Sequence, residues 1–327
     1  MKKIMLLDTS IGSSNMGDHI IMECVKKELS YILDDNFVYN IPTHLCAFNG
    51  YSVWRNSLAI QTYTNCDYKF AGGSNLLVKN LKTHYPQWNI HKFDSRPLEG
   101  IVLVGVGAGA GERTNNYTTK LYQKVLNHDF MHSVRDERSK AYVESIGLKA
   151  VNTGCATMWM FTPEFCEQIP HKKASRVIFT ITGRRNDQSL VNEYQDMIDI
   201  LVRNYKQVFF WIQGDTDLDF FKRYKNTEDI TVIPPNISDY EEILNQDDLD
   251  YVGTRLHGGI YAMRHKKRAV IVSIDERARE INRANHLNCI EKYEISEKLE
   301  AYINSEITTD IDMPFAEIKK WKDQFVL

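Results

Sequence analysis

Arg255 and His257 stand two residues apart in the stretch 248–263, where the apolar run 249–252 gives way to Gly258, Gly259 and a small-residue helical pattern. That pattern predicts a buried strand, a tight turn and the first turns of a helix. A guanidinium and an imidazole at such a junction face the helix's unpaired N–H groups and the positive end of its dipole, an arrangement suited to an anion. Gly258 and Gly259 would let a ligand approach the backbone. The plainer alternative is a salt-bridged arginine beside a helix-capping histidine. A second basic junction weighs against it: residues 131–139 repeat the change from strand to helix, with Arg135 at the turn and Asp136 and Glu137 entering the helix. Two strand-end arginines from different halves of a chain can converge on one anion.

Four blocks follow one another along the chain: Gly12-Ser13-Ser14-Asn15-Met16-Gly17-Asp18, Gly72-Gly73-Ser74-Asn75, Ser133-Val134-Arg135-Asp136-Glu137 and Arg255-Leu256-His257. On these blocks the chain resembles the polysaccharide pyruvyl transferase family, and the resemblance covers most of the sequence. It implies an α/β fold of two doubly wound Rossmann-like domains facing across a cleft, the glycosyltransferase B arrangement. It also implies phosphoenolpyruvate as donor and a sugar acceptor, in a polysaccharide or its lipid-linked precursor, that receives the pyruvyl group as a cyclic ketal. No cofactor besides that co-substrate is expected.

Open α/β sheets bind ligands at their carboxyl edges, so Asn15, Asp18, Gly73, Ser74, Arg135, Arg184, Gln213, Arg255, Leu256 and His257 are expected to face the cleft. Arg135 and Arg255 would answer the donor's phosphate and carboxylate. His257, which titrates near neutrality, would give the methylene proton or hold the phosphate. Asp18 would orient or deprotonate a sugar hydroxyl with Asn15 as its partner, an N-cap role for Asp18 staying open. Asp136 and Glu137 are expected to hold Arg135 or to cap its helix. Where the family often has a lysine after the last strand of the second sheet, this chain has Arg277 and Arg279, and that departure leaves the role open between them.

These residues need a scaffold, and the chain alternates apolar runs with amphipathic stretches throughout. Runs at 4–7, 101–106 and 150–154 and again at 176–182, 208–212, 230–233, 249–252 and 269–274 read as strands of parallel sheets, and residues 66–71 lead into the glycine turn at 72–75, a second loop on the same edge. Residues 101–111 are rich in glycine, but their spacing is not G-x-G-x-x-G and no periodic helix follows directly, so a buried strand and a flexible loop are expected rather than a dinucleotide site. A length of 327 residues suits two domains of roughly 150 residues each. They are expected at 1–174, on the acceptor side, and at 175–327, on the donor side. Phe315, Ile318, Trp321 and Phe325 at helical spacing would close the second domain with a packed helix.

Composition sets the outer limits. A formal charge of −3 with 25% charged and 43% hydrophobic residues gives no nucleic-acid footprint. Cys24, Cys46, Cys66, Cys155, Cys166 and Cys289 form no CxxC pair, which suggests reduced thiols in a cytoplasm rather than zinc or disulfides. The opening residues read as a first strand, since Asp8 interrupts the apolar run. No run approaches the roughly 20 apolar residues of a membrane span, so membrane contact would be peripheral, at the inner face where a lipid-linked acceptor is met. Two rivals share the fold: a glycosyltransferase in which the Arg255 helix grips a nucleotide-sugar diphosphate, and a non-catalytic sugar-binding protein.

Overall fold

The structure is a computed structural model that describes residues 1–82, 87–109, 114–183 and 191–325. Twelve strands form among them: β1 (Lys3–Asp8), β2 (Phe37–Pro42), β3 (Tyr68–Gly72), β4 (Val102–Val104), β5 (His132–Val134), β6 (Ala150–Asn152), β7 (Arg176–Thr180), β8 (Gln207–Trp211), β9 (Thr231–Ile233), β10 (Leu249–Gly253), β11 (Arg268–Ser273) and β12 (Cys289–Glu291). Each pairing between them is parallel. Central strands covered on both faces need continuous apolar sequence, and β1, β10 and β11 are buried almost from end to end.

The chain divides into two compact units, the first made of residues 1–13, 21–159 and 314–327 and the second of 14–20 and 160–313. In the first, four strands run in the order β2-β1-β3-β4, and the pair β5-β6 continues them through a parallel bridge between Val106 and Val134. In the second the order is β12-β11-β10-β7-β8-β9, the doubly wound order whose direction reverses between β7 and β10. Connections leave a reversal point on opposite faces of the sheet, so a crevice opens at the carboxyl ends of those two strands.

Two expectations about domains need correction. The change of unit falls between Trp159 and Met160 rather than near residue 175, and the closing segment belongs to the first unit rather than the second. The helix Phe315–Lys322 and the turn Asp323–Phe325 set Trp321 at 5.8 Å from Trp159, and Phe325 at 5.1 Å from Phe70 and 5.0 Å from Phe130, ring centre to ring centre. An aromatic stripe at helical spacing announces that a helix docks, but it does not say on what.

β5, which leads into Arg135, carries a fully buried His132. The Leu103 N–H donates to its Nδ1 at 3.2 Å and its Nε2 faces the Asn127 carbonyl at 3.0 Å, so the neutral Nε2–H tautomer satisfies both partners. Burial lowers its pKa to about 4. In the unfolded chain a histidine titrates near 6.5, so between these values the unfolded state binds the proton and the folded state does not. Stability is then full above pH 6.5 and falls as pH drops toward 4, by about 3 kcal/mol in all. Urea unfolding from pH 7.5 to 4.5 should show this slope in the wild type and lose it in His132→Gln.

Candidate active site

In the second unit the site starts from a pair of hydroxyls. β7 and β10 lie side by side with Thr180 opposite Gly253. Thr180 Oγ1 and the Tyr251 hydroxyl share a hydrogen bond of 2.6 Å. Oγ1 also accepts from the Arg255 N–H at 3.3 Å, while the Tyr251 hydroxyl donates to the Arg255 carbonyl at 2.8 Å. Both backbone groups of Arg255 are therefore held at the reversal point. The residue adopts extended φ and ψ as the N-cap of the helix Leu256–Arg264.

Its side chain is aimed by a carboxylate that the sequence did not single out. Asp217 is fully buried and pairs with Arg255 Nη2, and its Oδ1 also accepts from the Gly183 N–H at 2.9 Å. Oδ2 accepts from the Gly214 N–H at 2.8 Å and from the Gln213 N–H at 3.3 Å. One acid thus gathers the loop ends after β7 and β8 around the guanidinium. Gly214 makes room for it, since a Cβ there would lie 2.5 Å from Arg255 Nη2.

A second buried pair in the same unit decides which arginine a ligand could meet. Arg268 is 1% exposed; it donates to Asp250 at 2.6 Å and to the Ile303 and Ser305 carbonyls at 2.7 and 2.9 Å. It sits at the amino edge of β10 and β11 and is sealed by protein. Burial raises the Asp250 pKa in spite of that partner, which marks a costly structural pair. Arg255 has 16% of its side chain exposed, and its Nε is buried with no hydrogen-bond partner among the described residues. Arg268 Nε is unmatched in the same way, so what sets Arg255 apart is the exposed part of its side chain, which a ligand acceptor can reach.

Asn15 and Gln213 complete this group. The Met16 N–H donates to the Gln213 carbonyl at 2.8 Å, Asn15 bridges Gly214, and Gln213 Nε2 donates to Asn15 Oδ1 at 3.3 Å. Gln213 Oε1 is buried without a partner among the described residues. Asn15 Oδ1 accepts from the Gly17 N–H at 3.1 Å, so Asn15 caps the helix Met16–Glu28. Asp18 is not the cap: it lies in the first turn of that helix, buried. His257 is the second residue of its own helix and is 6% exposed.

Packing bears on four of the residues expected at the site. Gly258 and Gly259 are needed for packing: a Cβ would lie 2.7 Å from Gln213 Oε1 at the first and 2.1 Å from Ile271 Cδ1 at the second. Leu256 has a buried side chain, so any substrate contact there falls to its backbone. Gly73 has φ +57°, and a Cβ would lie 2.0 Å from Ile21 Cγ2, which makes glycine necessary before any ligand is considered. Arg184 lies outside the described residues, as does the side chain of Arg277. Arg279 donates to Glu291 at 2.9 Å.

In the first unit three separate blocks meet. The Gly107 N–H donates to the Ser74 carbonyl at 2.8 Å, and a Cβ on Gly107 would lie 2.3 Å from Arg135 Cζ, so the glycine lets the guanidinium lie on the loop. Ser74 itself has φ +59°, and its hydroxyl donates to Gln87 at 2.7 Å. Asp136 serves both roles foreseen for it: Oδ2 accepts from Arg135 Nε at 3.2 Å and Oδ1 caps the helix Glu137–Ser145 through the Ser139 N–H at 2.7 Å. Glu137 accepts instead from Asn152 at 3.0 Å. Gly107 was missed because its loop was judged only as a failed dinucleotide fingerprint; a glycine two residues beyond a strand, opposite a strand-end arginine, was the available sign.

Among the described residues no group of three His, Cys, Asp or Glu is placed to hold a metal ion, and no helix is long and apolar enough to cross a membrane.

A family model for polysaccharide pyruvyl transferases matches residues 15–276. No protein of curated function matches the sequence significantly. Similar solved structures include S. aureus MnaA solved with UDP, 11% identical with a TM-score of 0.55 over 100% of this chain and 98% of that one. UDP-GlcNAc 2-epimerase from Methanocaldococcus jannaschii, solved with UDP-GlcNAc and UDP, is 10% identical with a TM-score of 0.53 over 98% and 97%. The Neisseria meningitidis UDP-GlcNAc 2-epimerase bound to UDP-GlcNAc is 13% identical with a TM-score of 0.51 over 99% of each chain. At these identities the likeness is one of fold, and the fold is of the glycosyltransferase B class.

Proposed function

We propose, because the chain belongs to the polysaccharide pyruvyl transferase family, that it moves the enolpyruvyl group of phosphoenolpyruvate onto two hydroxyls of a sugar as a cyclic ketal and releases phosphate. The observation that carries this reading is the match over residues 15–276, which contains both basic strand-to-helix junctions. The geometry of the second unit supports it. Arg255 offers a fixed, partly exposed guanidinium at a helix N-terminus, and a phosphate or carboxylate is the partner such a donor suits.

In the reaction one sugar hydroxyl attacks the central carbon of the donor as its methylene carbon takes a proton and becomes the methyl group. The second hydroxyl then replaces phosphate at the same carbon. Of the two hydroxyl protons, one balances the methyl group and the other leaves with phosphate. In this scheme Arg255 holds the donor's charge, His257 supplies the methylene proton, and Asp18 with Asn15 orients the sugar. Gln213 holds Asn15. The donor is a co-substrate and no further cofactor enters the scheme; the acceptor belongs to a polysaccharide or its lipid-linked precursor, met in the cytoplasm.

Phosphorus NMR tests the reading. The protein is incubated with phosphoenolpyruvate and a panel of lipid-linked and soluble galactosides, glucosides and N-acetylmannosaminides. Inorganic phosphate should appear only with a competent acceptor, whose mass should rise by one ketal. Nucleoside diphosphate released from a sugar nucleotide, with phosphoenolpyruvate untouched, would establish the glycosyltransferase instead; turnover of neither would leave a sugar-binding protein.

A further inference from the structure

The segment that leaves β2 at the carboxyl edge of the first unit turns large apolar side chains outward. Trp54 is 78% exposed, Leu58 82% and Tyr51 63%, and Leu45 is exposed beside them in sequence. Phe93, 82% exposed, lies against the start of the same helix Gly50–Arg55, its Cβ 3.8 Å from where a Cβ on Gly50 would stand. A side chain of this kind left in water forgoes the stabilisation of burial, and one alone needs no explanation. A cluster of them marks a contact surface.

Charge says what kind of contact. Residues 36–66 contain no Asp or Glu. The acid nearest Phe93, Asp94, is buried and accepts from the His91 N–H and the Cys46 thiol. Arg55 and Lys92 are exposed, and neither forms an ion pair among the described residues. Arg55 instead lies over the Tyr51 ring, 5.7 Å from its centre. Protruding Trp, Leu and Phe tips flanked by cations and free of acids match an interface of acyl chains beneath anionic headgroups. A sugar-stacking platform would use aromatic faces rimmed by hydrogen-bonding groups, whereas the two most exposed side chains here, Leu58 and Phe93, have none.

We propose that this face of the first unit docks onto an anionic lipid surface, with Trp54, Leu58 and Phe93 entering the headgroup boundary. The proposal does not depend on which donor the protein uses.

Tryptophan supplies the test. Trp88, Trp159, Trp211 and Trp321 are each at most 4% exposed, so a change of emission on mixing with vesicles reports Trp54. The full chain should co-sediment with phosphatidylglycerol vesicles at least about tenfold more strongly than with phosphatidylcholine vesicles. Its emission should shift to the blue, and brominated lipid should quench it. Leu58→Ser with Phe93→Ser should weaken sedimentation by about tenfold or more, and Arg55→Glu with Lys92→Glu should remove the preference for phosphatidylglycerol. All four positions are exposed, so the fold should be kept, and circular dichroism checks that. The proposal is overturned if vesicles neither sediment the protein nor shift its emission, or if the serine variant binds like the wild type. It is overturned too if analytical ultracentrifugation shows a dimer that this variant dissociates, since a second copy then covers the face.

Discussion

Arg255→Ala is expected to weaken phosphoenolpyruvate binding by one to several orders of magnitude, since a charge-assisted contact to the donor is worth roughly 1.5–3 kcal/mol. For an arginine on the surface, stability would hardly move. Here the substitution strips the partner from a fully buried Asp217, and breaking a buried pair costs several kcal/mol. Three backbone N–H groups remain on that carboxylate, so the loss should sit near the lower end, about 3 kcal/mol. Arg255→Lys separates the two effects: it keeps a charge near Asp217 while giving up the planar fork, so it should be more stable than Arg255→Ala and still bind donor poorly. Isothermal titration with the donor and urea unfolding on the same samples give both quantities. A folded Arg255→Ala that binds donor like the wild type would remove the arginine from the site.

His257→Ala is expected to lower turnover by about two to four orders of magnitude while leaving donor affinity nearly intact. In the proposed reaction a proton is needed at the methylene carbon only as the transition state forms, whereas Arg255 would hold the ground state as well. His257→Gln keeps a hydrogen-bonding side chain of similar reach but no acid, and it should be almost as slow. The comparison of kcat with KM across the two variants is decisive. If His257→Gln kept most of the wild-type turnover, the residue would bind phosphate and transfer no proton.

What the sequence disclosed follows burial. β1, β7, β8, β10 and β11 lie inside their sheets, and covering both faces wrote largely apolar runs that could be read directly. β2 and β12 are edge strands: Phe-Val-Tyr-Asn-Ile-Pro and Cys-Ile-Glu show no such run, and both went unread. The basic junctions were legible because Arg135 and Arg255 each stand where a short strand-like stretch gives way to a helical pattern. Asp217 was not. In Gly214-Asp215-Thr216-Asp217 an acid reads as turn chemistry, and nothing local tells that its carboxyl points inward at an arginine 38 residues later. Partnerships across such distances are fixed by strand order, which periodicity does not contain. The same limit applies to the closing helix, whose stripe was seen and whose partner was mistaken.

That helix has a consequence for synthesis. The aromatic cluster of Tyr68, Phe70, Phe130 and Trp159 in the first unit is completed only by Trp321 and Phe325, and all of residues 160–313 are translated in between. The growing chain thus exposes an unfinished aromatic face for as long as the second unit takes to emerge from the ribosome. At roughly 5–20 residues per second, that wait is on the order of ten seconds, and the second unit, continuous apart from residues 14–20, has the shorter path to its native core.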